Sequence, residues 1–166
     1  MYEIERNEEI SRLIEITRSN SGISGPELAK AHMTLGKELA KHICFNPTET
    51  TIVAVLRGGI FFAEGMYFQL GCKFELFDPK TNSYIRPTTK NVILVDSVIN
   101  TGKTLLNLLD KDTYVACCVI NNEAVSLFDE RLFTIRVSQN SFVGSNVKHQ
   151  IGKNGPDTTM RLFNQL

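Results

Sequence analysis

The spacing of apolar residues changes along the chain and sorts it into two kinds of segment. Over residues 7–17, Ile10, Leu13, Ile14 and Thr17 recur at helical intervals and predict a first helix. The turn-rich stretch 19–24 follows. Ser24-Gly25-Pro26-Glu27 has the form of a capping box with proline in the first turn. Leu28, Ala31, Leu35, Leu39 and Ile43 then keep one apolar stripe, which predicts an amphipathic helix over 25–43.

Beyond residue 50 the stripes give way to short, continuous apolar runs. Residues 51–56, 91–95 and 114–120 read as strands buried on both faces, and 73–77 and 132–137 as further strands. Residues 61–70 and 102–110 suit helices, and 123–128 a short one. Residues 78–90 are polar, contain Pro79 and Pro87, and read as a loop. Strands without in–out alternation, separated by helices, specify an α/β fold with a mainly parallel sheet flanked by helices. Ligands of such sheets bind beyond the carboxyl ends of the strands. The loops after 51–56 and 91–95 are therefore the places to look for chemistry.

Composition narrows the picture. The chain has 166 residues, 42% apolar and 22% charged. At this size roughly 69% of the unfolded surface is buried on folding, so one domain over residues 1–166 is expected. Eighteen Lys and Arg balance eighteen Asp and Glu, which argues against a nucleic-acid partner. No apolar run reaches the length of a membrane span, and the charged N-terminus lacks a signal-peptide core. Cys44, Cys72, Cys117 and Cys118 form no C-x-x-C pair. The expectation is a soluble, cytoplasmic protein with reduced thiols.

The segment Val92-Ile93-Leu94-Val95-Asp96-Ser97-Val98-Ile99-Asn100-Thr101-Gly102-Lys103-Thr104 carries the most information. A buried strand delivers the Asp96 carboxylate at its tip, and a turn opens into a helix. Gly102 lets backbone N–H groups approach an anion, and Thr101 and Thr104 add hydroxyls. This suits a phosphate monoester, with Asp96 accepting from sugar hydroxyls. Two other readings remain open. One is a plain strand–turn–helix connection with a Thr cap. The other is a Walker-type phosphate loop over 97–104, in which Ser97 replaces the first glycine. After the 51–56 strand, Arg57 offers a forked cation for a polyphosphate, and Gly58-Gly59 permits close backbone approach. A turn with a solvated Arg fits equally.

Taken together, the apolar strand, acidic residue and Thr-Gly-x-Thr resemble the 5-phosphoribosyl-1-pyrophosphate (PRPP) motif of type I phosphoribosyltransferases. Leu56-Arg57-Gly58-Gly59 with Glu64-Gly65-Met66 resembles the pyrophosphate loop of the uracil enzymes, and Asp78-Pro79-Lys80-Thr81 the start of their mobile loop. Gly155-Pro156-Asp157-Thr158-Thr159-Met160-Arg161-Leu162-Phe163 is similar to their C-terminal segment. The resemblance implies transfer of ribose 5-phosphate from PRPP to a nucleobase, uracil favoured, with release of pyrophosphate. It implies catalytic roles for Arg57 and Asp96. PRPP would be held by Arg57, Gly58, Gly59, Asp96, Ser97, Asn100, Thr101, Gly102, Lys103, Thr104 and Asp157. The base would be read by Ile151 and Gly152, under a small C-terminal hood. Mg²⁺ would sit on Asp96 and Asp157, and the protein would be a homo-oligomer, a dimer or higher. Asp157 also reads as a helix cap, and Arg161 as a structural residue. His149 and Lys153 read as exposed polar side chains, with substrate contact as the alternative.

Some positions depart from the pattern. Many purine-type members have two acidic residues where this chain has Asp96-Ser97, and a proposed general base where it has Asn100. The tyrosine-rich segment that reads uracil has its nearest counterpart in 150–154, and Phe77 stands where Arg is usual. These departures leave open a non-catalytic PRPP- or nucleotide-binding regulatory protein of the same fold.

Overall fold

A computed structural model describes residues 1–81, 83–140 and 155–166. The base-reading residues Ile151 and Gly152, as well as His149 and Lys153, lie outside the described residues.

Among the described residues six strands form one parallel sheet: β1 (Tyr2–Glu3), β2 (Thr50–Val55), β3 (Lys73–Phe77), β4 (Asn91–Ile99), β5 (Thr113–Asn121) and β6 (Leu132–Ser138). Their order is β1-β6-β5-β4-β2-β3. Every residue of β2 is buried, as its unbroken apolar run predicts. Helices α1 (Glu8–Thr17), α2 (Gly25–Ala40) and α3 (Ile60–Leu70) cover one face. There Leu13, Leu35, Leu39, Phe62 and Met66 pack against Ile52, Ile93 and Val95. On the other face, α4 (Lys103–Leu106) and the 3-10 turns of 122–131 supply Leu105, Ala124 and Phe128 against Val53, Leu94 and Val115. The short α5 (Thr158–Leu162) packs its Leu162 on Leu28 and Ala29 of α2. The α/β architecture and the parallel sheet are as the sequence predicts. No helix among the described residues is long and apolar enough to cross a membrane. The four cysteines are free, and Cys117 and Cys118 are buried.

Four details differ from the sequence reading. Strand β4 runs to Ile99, four residues past its expected end, because Val98 and Ile99 continue the ladder against Val119 and Ile120 of β5. Asp96 thus lies within a strand and not at its tip. Helix α4 has four residues and not nine. The Asp110 carboxylate accepts from Thr113 Oγ1 at 2.7 Å and from the Asp112 N–H at 3.3 Å, which builds a turn where the helix was expected to run. Helix α2 ends at Ala40, and Lys41, His42 and Ile43 follow in tight turns that still bring Ile43 into the core. Ser24 makes no capping bond. The chain enters α2 through Gly25 at φ +65°, and Ser24 Oγ lies 3.5 Å from Asn164 Oδ1.

Arg161 fastens the C-terminal segment to the N-terminal helices. It is 1% exposed. Its guanidinium donates to the carbonyls of Ile23 at 2.8 and 3.1 Å, Thr17 at 3.3 Å and Ile16 at 3.4 Å, and to Ser21 Oγ at 3.0 Å. A planar five-donor cation suits carbonyls gathered from the end of α1 and from the turn before α2. Arg161→Met keeps the length but takes this donor from the Thr17 and Ile23 carbonyls, while Ile16 keeps the Ser21 hydroxyl. It is expected to lower the free energy of unfolding by about 3 kcal/mol. Urea denaturation checks this, and a loss below about 1 kcal/mol would show the carbonyls to be satisfied otherwise.

Candidate active site

The sheet order sets the position of the site. From β2 the chain moves outward to β3 at one edge; from β4 it moves the other way, to β5 and β6. The loops after β2 and β4 therefore diverge and leave a crevice between them. The pairing shows where it opens. Ala54 of β2 is opposite Val95 of β4, and beyond that pair β4 continues with β5 alone. The Leu56–Arg57 peptide, which is cis, sits where the two strands part.

A cleft of ≈ 150 Å³ occupies this parting. Arg57, Gly58, Asp96, Asp157, Thr158 and Thr159 line it, together with Leu56, Ser97 and Val98. Three segments far apart in sequence thus meet at one place. Thr158, Thr159 and Val98 were not assigned from the sequence; their signal was adjacency to Asp157 and Asp96.

Asp96 is half-buried, and Oδ1 accepts the Ser97 N–H at 2.7 Å. Burial outweighs the hydrogen bonds from the Ser97 and Val98 amides and pushes the carboxyl up to about 7. Among the described residues no Lys or Arg pairs with it. The two glycines have different uses. A Cβ on Gly58 would lie 3.1 Å from Thr159 Oγ1 and 3.3 Å from Asp96 Oδ1, within the cleft. A Cβ on Gly59 would lie 2.3 Å from the Val95 carbonyl oxygen, so Gly59 is there for close packing. Its N–H donates to the Val55 carbonyl at 2.9 Å and is not available to an anion, contrary to the sequence reading.

Arg57 is exposed and held by the C-terminal tail. Nη2 donates to Gln165 Oε1 at 3.0 Å, and the guanidinium lies 5.0 Å from the centre of the Phe163 ring. Asp157 caps α5, with Oδ1 accepting the Met160 N–H at 2.9 Å, as its alternative reading had it. Both Asp96 and Asp157 line one cleft and neither forms an ion pair among the described residues, which fits a divalent ion completed by substrate oxygens and water. No group of three or more metal-type ligands forms among the described residues.

Other assigned residues are placed differently. Ser97 is 1% exposed, and its hydroxyl is engaged by the Gly58 carbonyl at 2.6 Å and His32 Nδ1 at 3.1 Å, so it is not free for a sugar. Gly102 has φ +68°, and a Cβ there would lie 2.9 Å from Phe128 Cζ. Its lack of a side chain serves the turn and the packing beneath it. Thr101 is exposed, with Oγ1 3.5 Å from the Lys103 amide. Asn100 is half-buried in the same turn. Lys103 and Thr104 line a separate hollow of ≈ 430 Å³ with Phe77, Pro79 and Tyr84. The four residues of α4 are too few for a helix dipole to contribute much. The Walker-type reading fails on the same geometry, because residues 97–99 belong to a hydrogen-bonded strand and not to a loop.

No protein-family model and no curated protein matches the chain. Solved structures do. The AQ2163 protein from Aquifex aeolicus aligns over 98% of this chain and 97% of its own, with a TM-score of 0.71 and 18% identity. A hypoxanthine-guanine phosphoribosyltransferase from Bacillus anthracis, with HEPES in its active site, aligns over 66% of this chain and 80% of its own (TM-score 0.51, 20% identity). The APRTase from Giardia lamblia, complexed with 9-deazaadenine, aligns over 68% and 81% (TM-score 0.50, 16% identity). At these identities the likeness is one of fold. The chain has the type I phosphoribosyltransferase fold.

The carboxyl of Asp96 gives this site a pH signature. Its folded-state value of about 7 lies above the ordinary 3.8. The folded state therefore holds the proton more tightly. The associated stability is complete at low pH and is lost as pH rises through about 7. Asp96→Asn, which does not ionise, is expected to flatten this dependence and to be more stable than the parent above about pH 7. Urea unfolding across pH measures both, and parallel curves for the two proteins would contradict the assignment.

Proposed function

We propose that the protein is a phosphoribosyltransferase that moves ribose 5-phosphate from PRPP to a ring nitrogen of a nucleobase and releases pyrophosphate. One observation carries the reading. The Arg57–Gly58 loop, the Asp96 carboxylate and the Asp157–Thr159 segment converge on one cleft at the switch point of a sheet with this fold.

The chemistry asks for little more than positioning and charge. As pyrophosphate leaves, the anomeric carbon becomes cation-like and negative charge builds on the leaving oxygens. Arg57 and the Gly58 amide meet that leaving charge. Asp96 accepts from the ribose hydroxyls and, once ionised, offsets the positive charge on the ring. The 100–104 turn anchors the 5-phosphate at the far end. Asp96 and Asp157 would hold Mg²⁺, which supplies charge compensation for the pyrophosphate oxygens. Arg57 must exchange Gln165 for a phosphate oxygen, while Phe163 can stay stacked beneath it.

Uracil is the favoured base, on the resemblance of 56–59, 64–66 and 155–163 to the uracil enzymes, and a homo-oligomer, a dimer or higher, is carried over from the family. The names of the Bacillus and Giardia proteins point to purines, and likeness of fold does not choose between them. A second reading, a PRPP-binding regulator without turnover, is favoured by Asn100 and by the engagement of Arg57 with its own tail.

Incubation with PRPP, Mg²⁺ and a panel of uracil, hypoxanthine, guanine and adenine tests the proposal. Pyrophosphate release with one of these bases is expected. Asp96→Asn should lower the rate roughly a hundredfold. Arg57→Ala should weaken pyrophosphate binding roughly tenfold. Binding of PRPP without release with any base would establish the regulatory reading. Absence of both binding and release would reject the phosphoribosyl function.

A further inference from the structure

Behind the cleft, on the helix side of the sheet, a buried histidine is joined to the Gly58 loop. His32 of α2 is 1% exposed. Its Nδ1 lies 3.1 Å from Ser97 Oγ, which in turn lies 2.6 Å from the Gly58 carbonyl oxygen. Proton counting fixes every direction in this chain. A carbonyl only accepts, so the single Ser97 hydroxyl proton points at Gly58. Ser97 Oγ must then accept from the ring, and the His32 proton is on Nδ1.

The surroundings agree with a neutral ring. Burial, reinforced by the positive charges of Arg161 and Arg136, pushes His32 down to about 3. With the proton on Nδ1, Nε2 is a bare acceptor. It is buried, and among the described residues it has no partner. Arg136 Nε, a bare donor, is buried without a partner as well. His32 and Arg136 line the same cavity of ≈ 10 Å³. That is about the room one water needs. One water there would accept from Arg136 Nε and donate to His32 Nε2. The hydrogen bonds would then run in one sense from β6, through α2 and β4, to the loop after β2.

We propose that His32 is a positioning residue: acting through Ser97, it fixes the Gly58 carbonyl and with it the Arg57–Gly59 loop that meets the leaving group. Its effect on pyrophosphate binding rests on the function proposed above; its effect on the loop does not. Chains of aligned hydrogen bonds polarise one another in a low-dielectric interior, so removing one member loosens the rest. This also gives Ser97, where purine-type enzymes carry a second acidic residue, a use other than holding ribose.

Long-range ¹⁵N spectra of histidine-labelled protein, together with amide spectra and pyrophosphate titrations, form the test. The expected result is a neutral His32 with its proton on Nδ1, unchanged from about pH 5 to pH 8. His32→Leu and Ser97→Ala should shift the Gly58 and Gly59 amides and weaken pyrophosphate binding roughly tenfold. His32→Asn, whose side-chain N–H can replace Nδ1–H, should restore both to near the parent values. A proton on Nε2, or titration within that range, overturns the proposal. So does a folded His32→Leu protein with unmoved loop amides. If the parent protein binds no pyrophosphate, the phosphoribosyl function fails, and the loop amides decide the role of His32 alone.

Discussion

The parting of β4 from β2 after Val95 is the constraint on which the site depends. Up to that point the two strands share a ladder, and their side chains are buried. Beyond it β4 stays with β5, while the chain after β2 must turn to reach α3. Asp96 is the first residue past the parting, and its Oδ1 lies 3.3 Å from where a Cβ on Gly58 would be. Gly59 makes the turn possible at such close range, with the Val95 carbonyl where a Cβ would have to go. Packing and function are not separable here: the tight approach of Gly59 brings Gly58 and Arg57 to the carboxylate.

The second requirement is a cover for this crevice, and the C-terminal segment supplies part of it. Arg161 ties α5 to the end of α1, and Asp157 caps the same helix. The residues between and around them then reach the cleft: Thr158 and Thr159 line it, and Phe163 and Gln165 hold the Arg57 guanidinium. A buried cation with no carboxylate partner is costly in isolation, but five hydrogen-bond contacts to oxygen compensate it. A structural anchor with no contact to substrate is thus needed for the geometry of one that would touch it.

Much of this was legible in the sequence, and the failures have physical causes. Unbroken apolar runs marked β2, β4 and β5 because strands buried on both faces leave no other pattern. Asp96 and Arg57 stand out because polar residues at the ends of such runs have few structural uses, whereas Asp157 stands out only through the resemblance of 155–163 to the C-terminal segment of the uracil enzymes. The length of β4 is hidden in the sequence because Asp96-Ser97 looks like the start of a turn, whereas β-branched Val98 and Ile99 carry the ladder on. Gly59 and Gly102 suit anion binding in the sequence; in the structure close packing and backbone conformation explain them. His32 was invisible. It sits at a buried position of a helix where any medium-sized residue would keep the pattern, and its partner Ser97 is 65 residues away in sequence.

The central claim is that the loops after β2 and β4, with the Asp157 segment, grip one ligand that carries phosphate at both ends. An amide-shift titration of the labelled protein with PRPP and Mg²⁺ tests it most directly. Saturating shifts are predicted together at Gly58, Asp96, Thr101 to Lys103, and Thr158 to Thr159, with one common affinity. Shifts confined to one of these segments, or gathered at another surface while they stay still, would contradict it.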